Sequence, residues 1–99
     1  MLGPMAELVY EIWEDGGAQE MERVSLVGDW RRRATRPGAA LVHSFTAASY
    51  GEALAAFCAW NGNDKWQPAP GFEDHVFTDA EEAEQRAYLA VRAERWRGR

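Results

Sequence analysis

Ninety-nine residues, 46% of them apolar and five of them tryptophan, suffice for one domain with its own core, without disulfides or a metal. A formal charge of −5 weighs against non-specific nucleic-acid binding, and no stretch approaches the roughly 18 apolar residues of a membrane span. The single Cys58 cannot form an intramolecular disulfide and the start of the chain has no basic-then-apolar leader, so the cytoplasm is the expected compartment.

Residues 1–6 read as a loose tail, followed by a single α+β domain over 7–99. From Glu7 to Glu14 the side chains alternate as in a strand. Leu8, Tyr10 and Ile12 share one face; Val9, Glu11 and Trp13 share the other. Asp15-Gly16-Gly17 is a turn signal. Residues 20–27 then read as a second strand, polar enough to suit an edge. Gly28-Asp29 opens a short polar segment, one or two helical turns with Asp29 as cap, which stops before Pro37-Gly38. Residues 39–47 form the third strand, with Leu41, His43 and Phe45 in one row.

Ser49-Tyr50-Gly51-Glu52 carries the signature of a capping box, in which Ser49 accepts from an N–H three residues on and Glu52 reaches back to the N–H of Ser49. The helix it opens runs over 50–61 and stops at Asn61-Gly62. Tyr50, Ala53, Leu54, Phe57 and Trp60 gather on its face toward the sheet, with Cys58 on the flank as a small apolar filler. Residues 62–77 are irregular. Thr78-Asp79-Ala80-Glu81 is a second capping box, and its helix reaches about residue 96 with acids near its start and arginines near its end, as the helix dipole favours. Ala80, Ala83, Ala87, Ala90 and Val91 form a small-residue stripe expected to pack inward, while Leu89 and Trp96 project to another side. The expected fold is a three-stranded antiparallel sheet in the order second–first–third, with a plain meander as the alternative. The two main helices are expected on one face.

No constellation in the chain demands chemistry. Glu73-Asp74-His75 sets three potential ligands side by side, where an extended chain points them apart, so no metal is expected. Gly16-Gly17 is a hairpin turn, so no nucleotide loop and no cofactor are expected. A small enzyme or ligand-binding protein is the alternative reading, with His75 oriented by Asp74 and joined by His43 in a pocket between sheet and loop. A second alternative is nucleic-acid contact through Trp30, Arg31, Arg32 and Arg33 next to Arg36. Arg92, Arg95, Arg97 and Arg99 form another basic cluster. The main reading is a non-enzymatic interaction or regulatory module that meets a protein partner. One surface for it is the aromatic loop, with Trp66, Pro68 and Phe72. The other is the last helix, where Leu89 and Trp96 suit a second copy across a two-fold axis.

Tyr10-Glu11-Ile12-Trp13, the helix opening Ser49-Tyr50-Gly51-Glu52-Ala53, Trp66-Gln67-Pro68 and the acidic last helix around Gln85 together resemble a family of small uncharacterised bacterial proteins. The resemblance spans residues 9–89. It implies a small intracellular bacterial protein and brings no activity, ligand or catalytic residue with it.

Overall fold

Gly16 and Gly17 have φ of 60° and 88°, the left-handed values that a two-residue turn needs to join twisted antiparallel strands. Around them, in a computed structural model that describes residues 5–98, β1 (Leu8–Asp15) folds back on β2 (Ala18–Arg23). Then come α1 (Leu26–Thr35), β3 (Ala40–Ala47), α2 (Tyr50–Trp60) and α3 (Asp79–Arg95). The fold is α+β. Its sheet has three antiparallel strands in the order β2-β1-β3, so the most apolar strand is central and both neighbours are edges. The tail expected over 1–6 falls outside the described residues as far as residue 4, and Ala6 is buried.

The register shows where the edge backbone points. Val24 donates to the Val9 carbonyl at 3.1 Å, so residues 9 and 24 form a hydrogen-bonded pair. Every second pair along an antiparallel ladder is of that kind, which includes Glu11–Glu22 and Trp13–Glu20. Gln19, Met21 and Arg23 therefore turn their N–H and C=O groups away from β1. By the same rule Ser44 and Thr46 of β3 turn theirs outward on the other side of the sheet.

The helices divide between the two faces, which corrects the expectation that both long helices share one. Leu8, Tyr10, Ala47, Ala53 and Phe77 form the apolar core on the Tyr10 face, under α2. Trp60 of α2 stacks on His43, the partner of Ile12, with ring centroids 4.3 Å apart. Glu11 points the opposite way and meets Arg92 of α3 at 2.7 Å. On that same face the Arg32 guanidinium of α1 lies 3.6 Å from the Trp13 ring centroid.

Local expectations are also corrected. The second strand ends at Arg23, and α1 begins at Leu26, because Ser25 is its cap and accepts from the Gly28 N–H at 2.9 Å. Asp29, expected to be the cap, lies inside α1 and is buried. The alanine stripe of α3 is exposed. The inward face of that helix is Gln85, Tyr88 and Arg92, which reach polar partners that alanines cannot. In α2 only Gly51 and Ala53 are fully buried; Leu54 and Phe57 are half-buried and Trp60 is exposed, because the helix sits over β3 and leaves one flank open toward β2. The capping of α2 follows expectation at Ser49, which accepts from Glu52 N–H at 3.1 Å, but the Glu52 carboxylate accepts from Ala48 instead of Ser49. The capping box of Thr78 and Glu81 is complete.

Candidate interaction groove

The open flank of α2 and the outer edge of β2 face one another across a cavity of about 380 Å³. Gln19 and Met21 lie along its floor, Tyr50, Leu54 and Phe57 form the α2 wall, and Arg31 and Thr35 of α1 form the opposite wall. A second cavity of about 370 Å³ shares Met21 and Tyr50 and continues to Arg23, His75 and Phe77. The depression thus follows β2 along the edge whose backbone is turned outward. It exists because α1 and α2 cover opposite faces of the sheet and neither crosses that edge. The Gln19 amide oxygen is buried beside it and accepts no hydrogen bond among the described residues.

Charge around the groove is uneven. Glu20 pairs with Arg36 at 3.2 Å, and Glu22 pairs with Arg32. Burial pushes the Glu22 carboxyl above its ordinary value, and the attraction of Arg32 only partly offsets this. Arg31 is exposed and makes no ion pair among the described residues. The groove therefore has an apolar side toward α2 and a charged side toward α1, where Arg31 stands beside the Glu20–Arg36 and Glu22–Arg32 pairs.

Behind it, the Glu11 face of the sheet holds a closed polar network. Arg92 bonds Glu11 through both terminal guanidinium nitrogens, at 2.9 and 2.7 Å, and bonds Asp29 through Nε and Nη2 at 2.8 and 2.9 Å. Arg32 donates to Asp29 at 3.0 Å, and the Tyr88 hydroxyl donates to the same carboxylate. Burial pushes Asp29 up, but the bonds from Arg92, Tyr88 and Arg32 together hold it below its ordinary value. Tyr88 is pushed up, by burial first and by the Asp29 charge. Carboxylate oxygens of Glu11, Glu22 and Asp29 lie within 4.8 Å of one another, and the guanidinium groups of Arg32 and Arg92 already stand among them as counter-charges.

The residues singled out from sequence are spread over the molecule. His43 and His75 stand at opposite ends of a row of rings. Centroid steps of 6.0, 5.7, 6.1 and 5.6 Å lead from His43 through Phe45, Tyr10 and Phe77 to His75. Asp74 does not orient His75. Its carboxylate accepts from the Gly51 N–H at 2.7 Å at the start of α2, so close that a Cβ on residue 51 would sit 2.9 Å from it. His75 instead bonds Glu81 at 2.9 Å. In the loop, Trp66 meets Phe72 edge-on at 5.9 Å and Phe72 stacks on Tyr50 at 6.5 Å, leaving Pro68 exposed. The loop aromatics thus brace one wall of the groove.

The basic cluster of α1 is divided. Arg32 is buried in the ionic network, and Arg33 lies 4.6 Å from the centre of the Trp96 ring. Trp30 is exposed, in a shallow depression with Leu26, Val27 and Arg95. Trp96 is half-buried and donates its indole N–H to Tyr88 at 2.7 Å, while Leu89 is at the surface. Arg99 of the C-terminal basic cluster lies outside the described residues. No helix among the described residues is long and apolar enough to cross a membrane.

Sequence reasoning missed the groove. Its signal was the polar second strand: an edge by composition, yet with Met21 on the same face as the large apolar residues of α2. Compared with known proteins, the chain matches no family model, no curated protein and no solved structure.

Proposed function

We propose that the protein is a non-catalytic interaction module that takes an extended segment of a partner protein as an added strand on β2. The observation that carries this reading is the outward-turned backbone of Gln19, Met21 and Arg23 along a cavity walled by both α1 and α2. Unpaired edge groups supply main-chain hydrogen bonds to any extended chain, and walls on both sides select its alternate side chains. The loop contributes indirectly, through Phe72 behind Tyr50.

The test is selection of a displayed heptapeptide library on the purified protein. Selected peptides should bind wild type and fail on Met21→Pro, which removes an outward N–H and leaves the β1 ladder bonds in place. They should still bind Ser44→Pro, the equivalent change on the outer side of β3. Both variants must first match wild type in thermal unfolding. Selected peptides that bind Met21→Pro unchanged would overturn the reading, as would a library yielding no binder.

A further inference from the structure

We infer that a second copy of this chain pairs with the outer edge of β3, antiparallel and across a two-fold axis, so that the two sheets become one. Between Arg36 and Glu52 the sequence holds no Asp, Glu, Lys or Arg, and β3 lies wholly inside that stretch. Edge strands are ordinarily guarded against pairing by charges, proline, bulges or a covering element. The one irregularity of β3 is a bulge, where Val42 is left over between the pairs Ile12–His43 and Trp13–Leu41; beyond it, His43 to Ala47 run in regular register. Ser44 and Thr46 turn their backbone groups outward there. Both residues are exposed, and no other backbone group among the described residues pairs with them.

The regular stretch is complementary to itself. The antiparallel register that uses only His43 to Ala47 sets Ser44 of one copy against Thr46 of the other, with Phe45 facing Phe45 at the axis. The hydroxyl pairs fall on the Glu11 face. The two rings fall on the Tyr10 face, where Phe45 is half-buried and stacks on Tyr10 with centroids 5.7 Å apart. Hydroxyl and aromatic pairs of this kind stabilise a ladder, and no like charges are opposed. β2 behaves in the contrary way. With Gln19, Met21 and Arg23 facing outward, antiparallel self-pairing about residue 20, 21 or 22 sets glutamate against glutamate, drawn from Glu20 and Glu22. The second copy therefore takes the β3 edge, and a β2 groove stays open at each end of the joined sheet. Above that edge, α2 leaves room. Its successive residues turn by about 100°, which places Ala56 and Ala59 on the flank away from Leu54 and Phe57, toward the outer side of β3. Small side chains there let the two α2 helices approach one another across the axis.

The experiment uses the full chain. Wild type should dimerise as its concentration rises in light scattering. The amides of Ser44 and Thr46 should exchange more slowly as the dimer fills, with those of Gln19, Met21 and Arg23 unchanged. Ser44→Lys/Thr46→Lys and Ser44→Glu/Thr46→Glu each oppose like charges across the axis and should weaken dimerisation about tenfold. An equimolar mixture of the two double variants opposes unlike charges and should recover the dimer, which a variant that had failed to fold could not do. Thermal unfolding is compared at high dilution, where association no longer adds to stability. A wild type that stays monomeric at every soluble concentration would overturn the proposal. So would a mixture no more associated than either variant alone. A dimer unchanged in both double variants would overturn it as well. Protection of Gln19 and Met21 would then place the interface on β2, and loss of the dimer in Leu89→Glu would place it on α3.

Discussion

The two faces of the sheet are closed by opposite means. On the Tyr10 face, Leu8, Tyr10, Ala47, Ala53 and Phe77 pack without direction, and one short helix covers β3 while leaving β2 bare. On the Glu11 face, directional bonds among Glu11, Asp29, Arg32, Tyr88 and Arg92 fix α1 and α3 against the strands. A charged network permits few arrangements, because any loosening strands a buried charge. Apolar packing tolerates a missing neighbour at the cost of wetted surface. The open groove lies on the side that can afford it.

Three measurements bear on this contrast. The largest effect is expected from Arg92→Met, which leaves Glu11 and Asp29 short of a partner at 8% and 1% side-chain exposure. Breaking a buried pair from one side costs about 3–5 kcal/mol, read from a denaturant titration. Adding Glu11→Leu should return part of that loss, since the charge left behind is then removed. A single-variant loss under about 1 kcal/mol would mean that the ionic face is not the locked one.

Next comes Phe57→Ala on the open side. A fully enclosed phenylalanine would cost about 3–5 kcal/mol, and the half-buried ring should cost about 2. A loss as large as that of Arg92→Met would erase the difference between the faces. Peptide bound in the groove should raise the cost measured for Phe57→Ala and leave that for Arg92→Met unchanged.

The smallest effect is in acid. Glu81 is held at about 2, below its ordinary 4.5, by the Thr78 N–H first; desolvation opposes this, and bonds from His75 and Arg23 add to the lowering. A carboxyl depressed in the folded state contributes stability that is complete above about pH 4.5 and is lost as pH falls toward 2. Glu81→Gln should flatten the stability–pH curve across that window. Since the group is only partly covered, solvent screening should keep the change modest. An unchanged slope would remove Glu81 from the acid response and leave it to carboxylates such as Asp29.

Much of the architecture was legible because it is written locally. Alternation from Leu8 to Trp13 marks the central strand, Gly16-Gly17 the hairpin, and Ser49 and Thr78 the helix starts. The order β2-β1-β3 follows from placing the strand with two buried faces in the middle. The ionic face was not legible. Glu11, Asp29 and Arg92 are scattered along the chain, and each has a surface explanation when read alone. The alanines of α3 are more apolar than Gln85 and Arg92, yet Gln85, Tyr88 and Arg92 make the contacts. The groove was hidden for a related reason: it depends on which face each helix takes, and periodicity identifies a helix face without saying which side of the sheet receives it.

Gln85 holds a position that belongs to the ladder. Its amide oxygen accepts from Val9 N–H at 2.7 Å, and its nitrogen donates to the carbonyls of Val9 and Val24 at 2.9 and 3.0 Å, where β1 and β2 begin to part. The hairpin is thus completed by a side chain 76 residues downstream of Val9. Arg92 closes on Glu11 across 81 residues and Glu82 on Glu7 across 75. Contacts so distant in sequence must meet the entropy of closing a long loop before they return any stability. For a chain made in the N-to-C direction, β1 can pair with β2 and β3 early, but its Glu11 face stays uncovered until α3 has been synthesised. Folding should therefore be slow for a domain of this size, with α3 docking as its final step, and the unfinished chain is the form most exposed to aggregation.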